Sequence, residues 1–132
     1  MNLLEAYENN IQIPVQIFSY DLSPLESIVK YLKENIRLNY HDIGVILNRD
    51  ERTIWKTYNN SKKKNKDLLI IKKEKYFIPV KEFSNRKFSI LESICLYLIE
   101  FLSIPDIARL LNKNPSSMYT VKNRAIKKKN ED

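Results

Sequence analysis

The chain has 132 residues, 43% of them hydrophobic and 30% charged, with a formal net charge of +7; it is long enough to bury a core and basic enough to favour a polyanionic partner. One cysteine excludes an internal disulfide, one histidine a zinc cluster, and one glycine the glycine-rich loops that cradle phosphates. No apolar stretch approaches a membrane span and Met1 to Asn10 lacks the regions of a signal peptide, so the expectation is a reducing, cytoplasmic setting with no membrane partner, cofactor or metal.

Leu3, Leu4 and Tyr7 predict a short helix. Ile11, Ile13, Val15 and Ile17 alternate with polar residues and Pro14, the pattern of a short strand or extended arm that proline restricts to an edge. A helix then starts at Leu22-Ser23-Pro24-Leu25-Glu26, where Ser23 caps, Pro24 suits the first turn and Glu26 completes a capping box. Its buried stripe is Leu25, Ile28, Val29 and Leu32. A second helix starts at Asn39, with Asp42 at its positive end, and runs through Ile43 to Leu47. A third starts at Asp50 and carries the chain into Lys62, Lys63 and Lys64. Ser61 to Asp67 reads as a linker, after which Leu68 to Ile71, Lys72 to Lys75 and Tyr76 to Val80 predict a β-hairpin wing.

From there the order repeats at a spacing of about 65 residues. Ile13-Pro14-Val15 with Phe18-Ser19 returns as Ile78-Pro79-Val80 with Phe83-Ser84, and Leu25-Glu26-Ser27-Ile28 as Leu91-Glu92-Ser93-Ile94. Ser89 and Glu92 repeat the capping box, Leu91, Ile94, Cys95 and Leu98 the stripe, Ser103 with Asp106 the second helix start, and Asn114-Pro115 the third. The two halves differ in charge: residues 1–65 carry 9 basic and 8 acidic side chains and residues 66–132 carry 14 and 8, so the second supplies +6 of the +7. Each repeat alone is of marginal size, so the units are expected to lean on each other.

The join between second and third helices is the most specific local signal. Two helices that cross closely need a small residue in the first, a turn residue four later that tolerates a left-handed backbone, and a buried aliphatic six beyond that. Gly44, Asn48 and Ile54 meet this in the first copy, and Ala108, Asn112 and Met118 in the second. With these residues the unit resembles the three-helix DNA-binding module of region four of bacterial sigma factors and of LuxR-type regulators, over Leu22 to Lys64 and Phe88 to Lys129. The turn carries asparagine where that family usually has glycine. The resemblance implies that the third helices, Asp50 to Lys62 and Asn114 to Lys127, read the major groove.

The expected fold is therefore mainly α: two tandem three-helix helix-turn-helix modules, 1–64 and 65–132, each preceded by a short extended or β segment. The expected function is sequence-specific binding of double-stranded DNA in transcriptional regulation. Base and phosphate contacts would come from Arg49, Arg52, Lys56, Asn59 and Asn60 in one module and Ser116, Ser117, Thr120, Asn123 and Arg124 in the other. Lys62, Lys63, Lys64, Lys127, Lys128 and Lys129 would grip the backbone, although a basic helix end also complements the helix dipole. Trp55 and Tyr119, at equivalent sites, would either touch the groove or cover the small core. The alternatives are a protein-interaction adaptor of the transcription machinery, with RNA polymerase or another factor as partner, and an RNA-binding protein.

Cys95, on the buried stripe opposite Val29, reads as a core residue, and His41, at a helix start, as a surface or capping group. No catalytic set is expected. Copy one carries Lys30, Lys33 and Asn35 where copy two carries Leu96, Ile99 and Phe101, which predicts a solvated face on the first helix and an interface on the second, with the other module or in a homodimer through Leu96 and Ile99.

Overall fold

A computed structural model describes residues 10–131. The helix expected at Leu3, Leu4 and Tyr7 lies outside the described residues. Among the described residues six α-helices dominate: α1 Pro24–Lys30, α2 Tyr40–Leu47, α3 Glu51–Lys64, α4 Ile90–Leu98, α5 Ile104–Leu111 and α6 Pro115–Lys129. Strands β1 Gln12–Pro14 and β2 Phe77–Pro79 each run into a short 3₁₀ helix, Val15–Ser19 and Val80–Phe83. The described residues are thus mainly helical, with one small antiparallel sheet among them.

Local chemistry starts these helices as expected. The Ser23 hydroxyl accepts from Glu26 N (3.2 Å) while Ser23 N donates to Glu26 Oε1 (2.8 Å); Ser89 and Glu92 repeat the pair at 3.1 and 2.8 Å. Asn39 and Ser103 cap α2 and α5 through the amides of Asp42 and Asp106, and Asp50 and Asn114 cap α3 and α6 through Arg52 and Ser116. α1 continues into a π turn, Tyr31–Asn35, in which Ile36 N donates to Tyr31 O at 3.2 Å, five residues back. Copy one has two more residues than copy two between its first and second helices, six between Leu32 and Asn39 against four between Leu98 and Ser103.

The two capping asparagines stand in the left-handed region, Asn48 at φ 55°, ψ 50° and Asn112 at φ 56°, ψ 47°. Arg49 N and Lys113 N close the same bond, to Gly44 O and Ala108 O, both at 2.8 Å. A Cβ on Gly44 would lie 2.8 Å from the Arg49 carbonyl oxygen, which is why the smallest residue suits that place.

The halves meet through one contiguous core. Ile13, Val15, Ile17, Ile78, Val80 and Phe83 have no exposed surface, and they pack with the buried stripes of α1 and α4, including Ile28, Val29, Ile94 and Cys95. β1 pairs with β2, so the segments that the repeat makes equivalent lie side by side: Ile13 opposite Ile78, Gln12 opposite Pro79, Pro14 opposite Phe77. Each 3₁₀ helix packs against the second helix of the other half, Val15–Ser19 on α5 and Val80–Phe83 on α2. α1 also touches α4.

This pairing displaces the hairpin wing. Tyr76 to Val80 has β1 as its partner, and Leu68 to Lys75 forms no strand. Ser61 to Lys64, read as linker, belong to α3, and the segment from Leu68 to Lys72 straps back across copy one. Gln16 Nε2 donates to Lys72 O (2.9 Å) and Gln16 Oε1 accepts from Lys72 N (2.7 Å), Tyr20 Oη accepts from Ile70 N (3.1 Å), and Asn35 Nδ2 donates to Leu69 O (3.1 Å), leaving Leu69 buried. No described helix is long and apolar enough to cross a membrane.

The first-helix face departs from expectation in copy one. Lys30, read as solvated, is fully buried, its Nζ 2.6 Å from Glu34 Oε1. Leu96 and Ile99 are only half-buried, and Phe101 beside them is exposed. Leu96, Tyr97 and Phe101 line an open groove of about 330 Å³ on α4.

Candidate nucleic-acid interface

The buried side of each third helix is set by a few residues: Ile54 and Ser61 in α3, Met118, Val121 and Ala125 in α6. Helical spacing then sends the intervening residues outward. On α3 this stripe holds Arg52, Lys56 and Lys63, all exposed, with Asn59 and Asn60 half-buried between them. On α6 it holds Ser116, Ser117, Thr120, Asn123, Arg124 and Lys127, all exposed. Asn59 Nδ2 donates to Trp55 O (2.8 Å) and Thr120 Oγ1 to Ser116 O (3.3 Å). Trp55 and Tyr119 are 56% and 45% exposed, so both present a large part of their rings to solvent.

The lysine runs divide. Lys64 Nζ lies 2.8 Å from Glu26 Oε1, and its counterpart Lys128 Nζ 2.7 Å from Glu92 Oε1, so each copy ties the end of its third helix to the capping carboxylate of its first. Lys62 Nζ reaches Glu34 Oε2 at 3.2 Å, and Arg124 Nε stands 3.8 Å from Glu92 Oε2. Lys63, Lys127 and Lys129 remain exposed, Lys129 beside the groove on α4. Four of the expected cations are thus engaged with the protein's own carboxylates.

Burial by itself would raise the pKa values of Glu26 and Glu92, but hydrogen bonds and charge from Lys64 and from Lys128, together with the amides of Ser23 and Ser89, hold both below the usual carboxylate value. Glu34 follows the same logic: burial opposes ionisation, while Lys30, the Tyr58 hydroxyl (2.7 Å) and Lys62 outweigh it. The Tyr58 hydroxyl is pushed up by burial and by that carboxylate.

Arg49 turns away from the outer face. Its Nη1 donates to Leu47 O (2.7 Å) and to Phe83 O (3.1 Å), while Asn48 Nδ2 donates to Ser84 O (3.1 Å), so the turn of copy one clasps the 3₁₀ helix of copy two. Burial, and then the charge of Arg86, lower the Arg49 pKa. Arg86, exposed beside this turn, is a cation that sequence reasoning missed; its position in a loop of the other half carries no local signature. The Lys30, Glu34, Tyr58 and Lys62 cluster was also missed, though the copies hold a trace of it: Lys30 and Lys62 become Leu96 and Ile126 together.

His41 Nδ1 lies 3.3 Å from Glu51 Oε1 on the surface, and Cys95 is buried, its thiol pKa raised by burial against a small opposing effect of Lys122. No family model matches the chain, and neither the curated proteins nor the solved structures compared with it yield a match. The arrangement itself is two helix pairs with left-handed asparagine turns, each presenting an outward stripe of amide, hydroxyl and cationic groups. Such groups suit phosphate oxygens and base edges.

Proposed function

We propose that this chain binds double-stranded DNA sequence-specifically through the outward stripes of α3 and α6, acting as a transcriptional regulator in the cytoplasm, next to the nucleoid. The observation that carries the reading is the recurrence, at equivalent places in both copies, of an outward-facing third helix entered through a left-handed asparagine turn and bearing an exposed lysine, Lys63 or Lys127, near its end. Arg52, Lys56, Asn59 and Asn60 on one helix, and Ser116, Ser117, Thr120, Asn123 and Arg124 on the other, are the side chains that reach a duplex laid against these faces. Lys63 and Lys127 supply phosphate contacts.

A second reading rests on Trp55 and Tyr119. Exposed aromatics at equivalent positions are also platforms for unstacked bases, which favours single-stranded RNA. Fluorescence anisotropy of the full chain against random duplex DNA, single-stranded RNA and RNA hairpins at several salt concentrations separates the two. Preference for duplex DNA with a steep salt dependence is expected. Preference for RNA establishes the second reading, and no binding to either, with retention on RNA polymerase, makes the chain a protein adaptor.

A further inference from the structure

The way the two copies meet bears on the form of the target. Antiparallel pairing places Ile13 opposite its own counterpart Ile78. The flanking pairs then exchange: Gln12 faces Pro79, and Phe77, the counterpart of Gln12, faces Pro14. Val15 N donates to Tyr76 O and Val80 N to Ile11 O, both at 3.1 Å. Phe18 packs against its counterpart Phe83 with ring centroids 5.9 Å apart and the rings tilted by 45°, and each 3₁₀ helix packs on the other copy's second helix. In these pairs, where a residue of one copy touches a residue of the other, their two counterparts touch as well, which is the contact pattern of a two-fold interface; a head-to-tail repeat puts unlike surfaces together. The chain is a covalent pseudo-dimer with its dyad at the Ile13 and Ile78 pair, and the polar ties of Asn48 and Arg49 to Phe83 and Ser84 add to one side only.

From this dyad we infer that the target is an inverted repeat with unlike half-sites; the inference rests on the duplex-binding reading above. Two equivalent surfaces related by a two-fold axis approach a duplex with opposite polarity, so they read sequences of opposite orientation. A direct repeat would require the helices to be related by translation along the groove. The side chains on the two stripes are not the same, however. At corresponding places Arg52 faces outward where copy two has Ser116, Lys56 where it has Thr120, and Asn60 where it has Arg124. Asn59 and Asn123 are shared, and asparagine pairs best with adenine. The target therefore keeps symmetry at the base read by the two asparagines and loses it at the flanking positions, where the guanidinium of Arg52 favours guanine and a serine does not.

The test is selection of bound duplexes from a random pool by the full chain, repeated with the variant Arg52→Ser, Thr53→Ser, Lys56→Thr, Asn60→Arg, which copies the second stripe onto the first at exposed or half-buried positions. Expected are an imperfect inverted repeat for the parent chain and a more symmetric one for the variant. Re-synthesised sites with one half reversed in place should bind at least tenfold more weakly. Enrichment of a direct repeat or of a single half-site, or a variant site as asymmetric as the parent's, overturns the dyad inference while leaving DNA binding intact. Enrichment of no duplex at all overturns the DNA reading itself. Circular dichroism of the variant confirms that any change in selection arises in a folded protein.

Discussion

The Lys30 ammonium lies 2.6 Å from the Glu34 carboxylate with none of the lysine side chain exposed, and Glu34 also accepts from the Tyr58 hydroxyl and pairs with Lys62. Lys30→Ala removes one of the two cations facing Glu34 and leaves a cavity at a fully buried site, so it is expected to cost about 3 kcal/mol. The double change Lys30→Leu, Glu34→Gln should recover much of that, since copy two holds Leu96 at the same place. Leu96→Glu should cost only about 1 kcal/mol, because Leu96 is half-buried at an open groove. Denaturant unfolding of the variants measures all three. A Lys30→Ala protein as stable as the parent would show that the cluster contributes nothing.

Stability should depend on pH through Glu26, Glu34 and Glu92. All three have folded pKa values below the ordinary carboxylate value, so the stability they contribute is present above their unfolded pKa and is lost as pH falls through the lowered ones. Unfolding midpoints should therefore be flat from neutrality to about pH 5 and decline below it. Glu26→Gln with Glu92→Gln should flatten the acid limb. An acid limb unchanged by that double variant would place the linkage elsewhere.

The left-handed turns predict opposite outcomes for two small substitutions. Asn112→Gly should be nearly neutral, whereas Asn112→Ala, whose Cβ meets the following carbonyl at φ 56°, should cost about 1 kcal/mol. Asn48→Gly should lose more than Asn112→Gly, because the Asn48 amide also donates to Ser84 O across the two halves. Thermal melts that rank the two glycine variants the other way would remove that clasp from the account.

Lysines of one run should separate in a DNA-binding assay. Lys127→Ala should lower the salt slope by about one, the value for one phosphate contact. Lys128→Ala should instead lower stability, since Lys128 is paired with the buried Glu92 at 2.7 Å. Equal salt slopes for Lys127→Ala and the parent chain would take that residue off the phosphate backbone.

Asn123, exposed mid-way along α6, is expected to read a base edge. Asn123→Ala should cost about 1 to 3 kcal/mol on a selected site and little on random duplex. Isotherms on the two DNAs decide it; a uniform loss would mean that α6 lies outside the groove.

What the sequence by itself determined is local. Ser23 with Glu26, Ser89 with Glu92, and the caps of the second and third helices act over two or three residues, so their spacing alone located the starts of the six described α-helices. The left-handed asparagines were legible for the same reason, because backbone strain is a property of one residue and its neighbours. The antiparallel meeting of β1 and β2, the strap of Leu69 across copy one, and the burial of Lys30 were decided only by the tertiary structure. So was the division of the lysine runs, since Lys64 finds Glu26 at a separation of 38 residues and Lys128 finds Glu92 at 36. Nothing in the composition of a lysine run tells which ammonium will meet a carboxylate that far away: a cation's partner is set by where the helices pack, and that is settled by the apolar faces on their other sides.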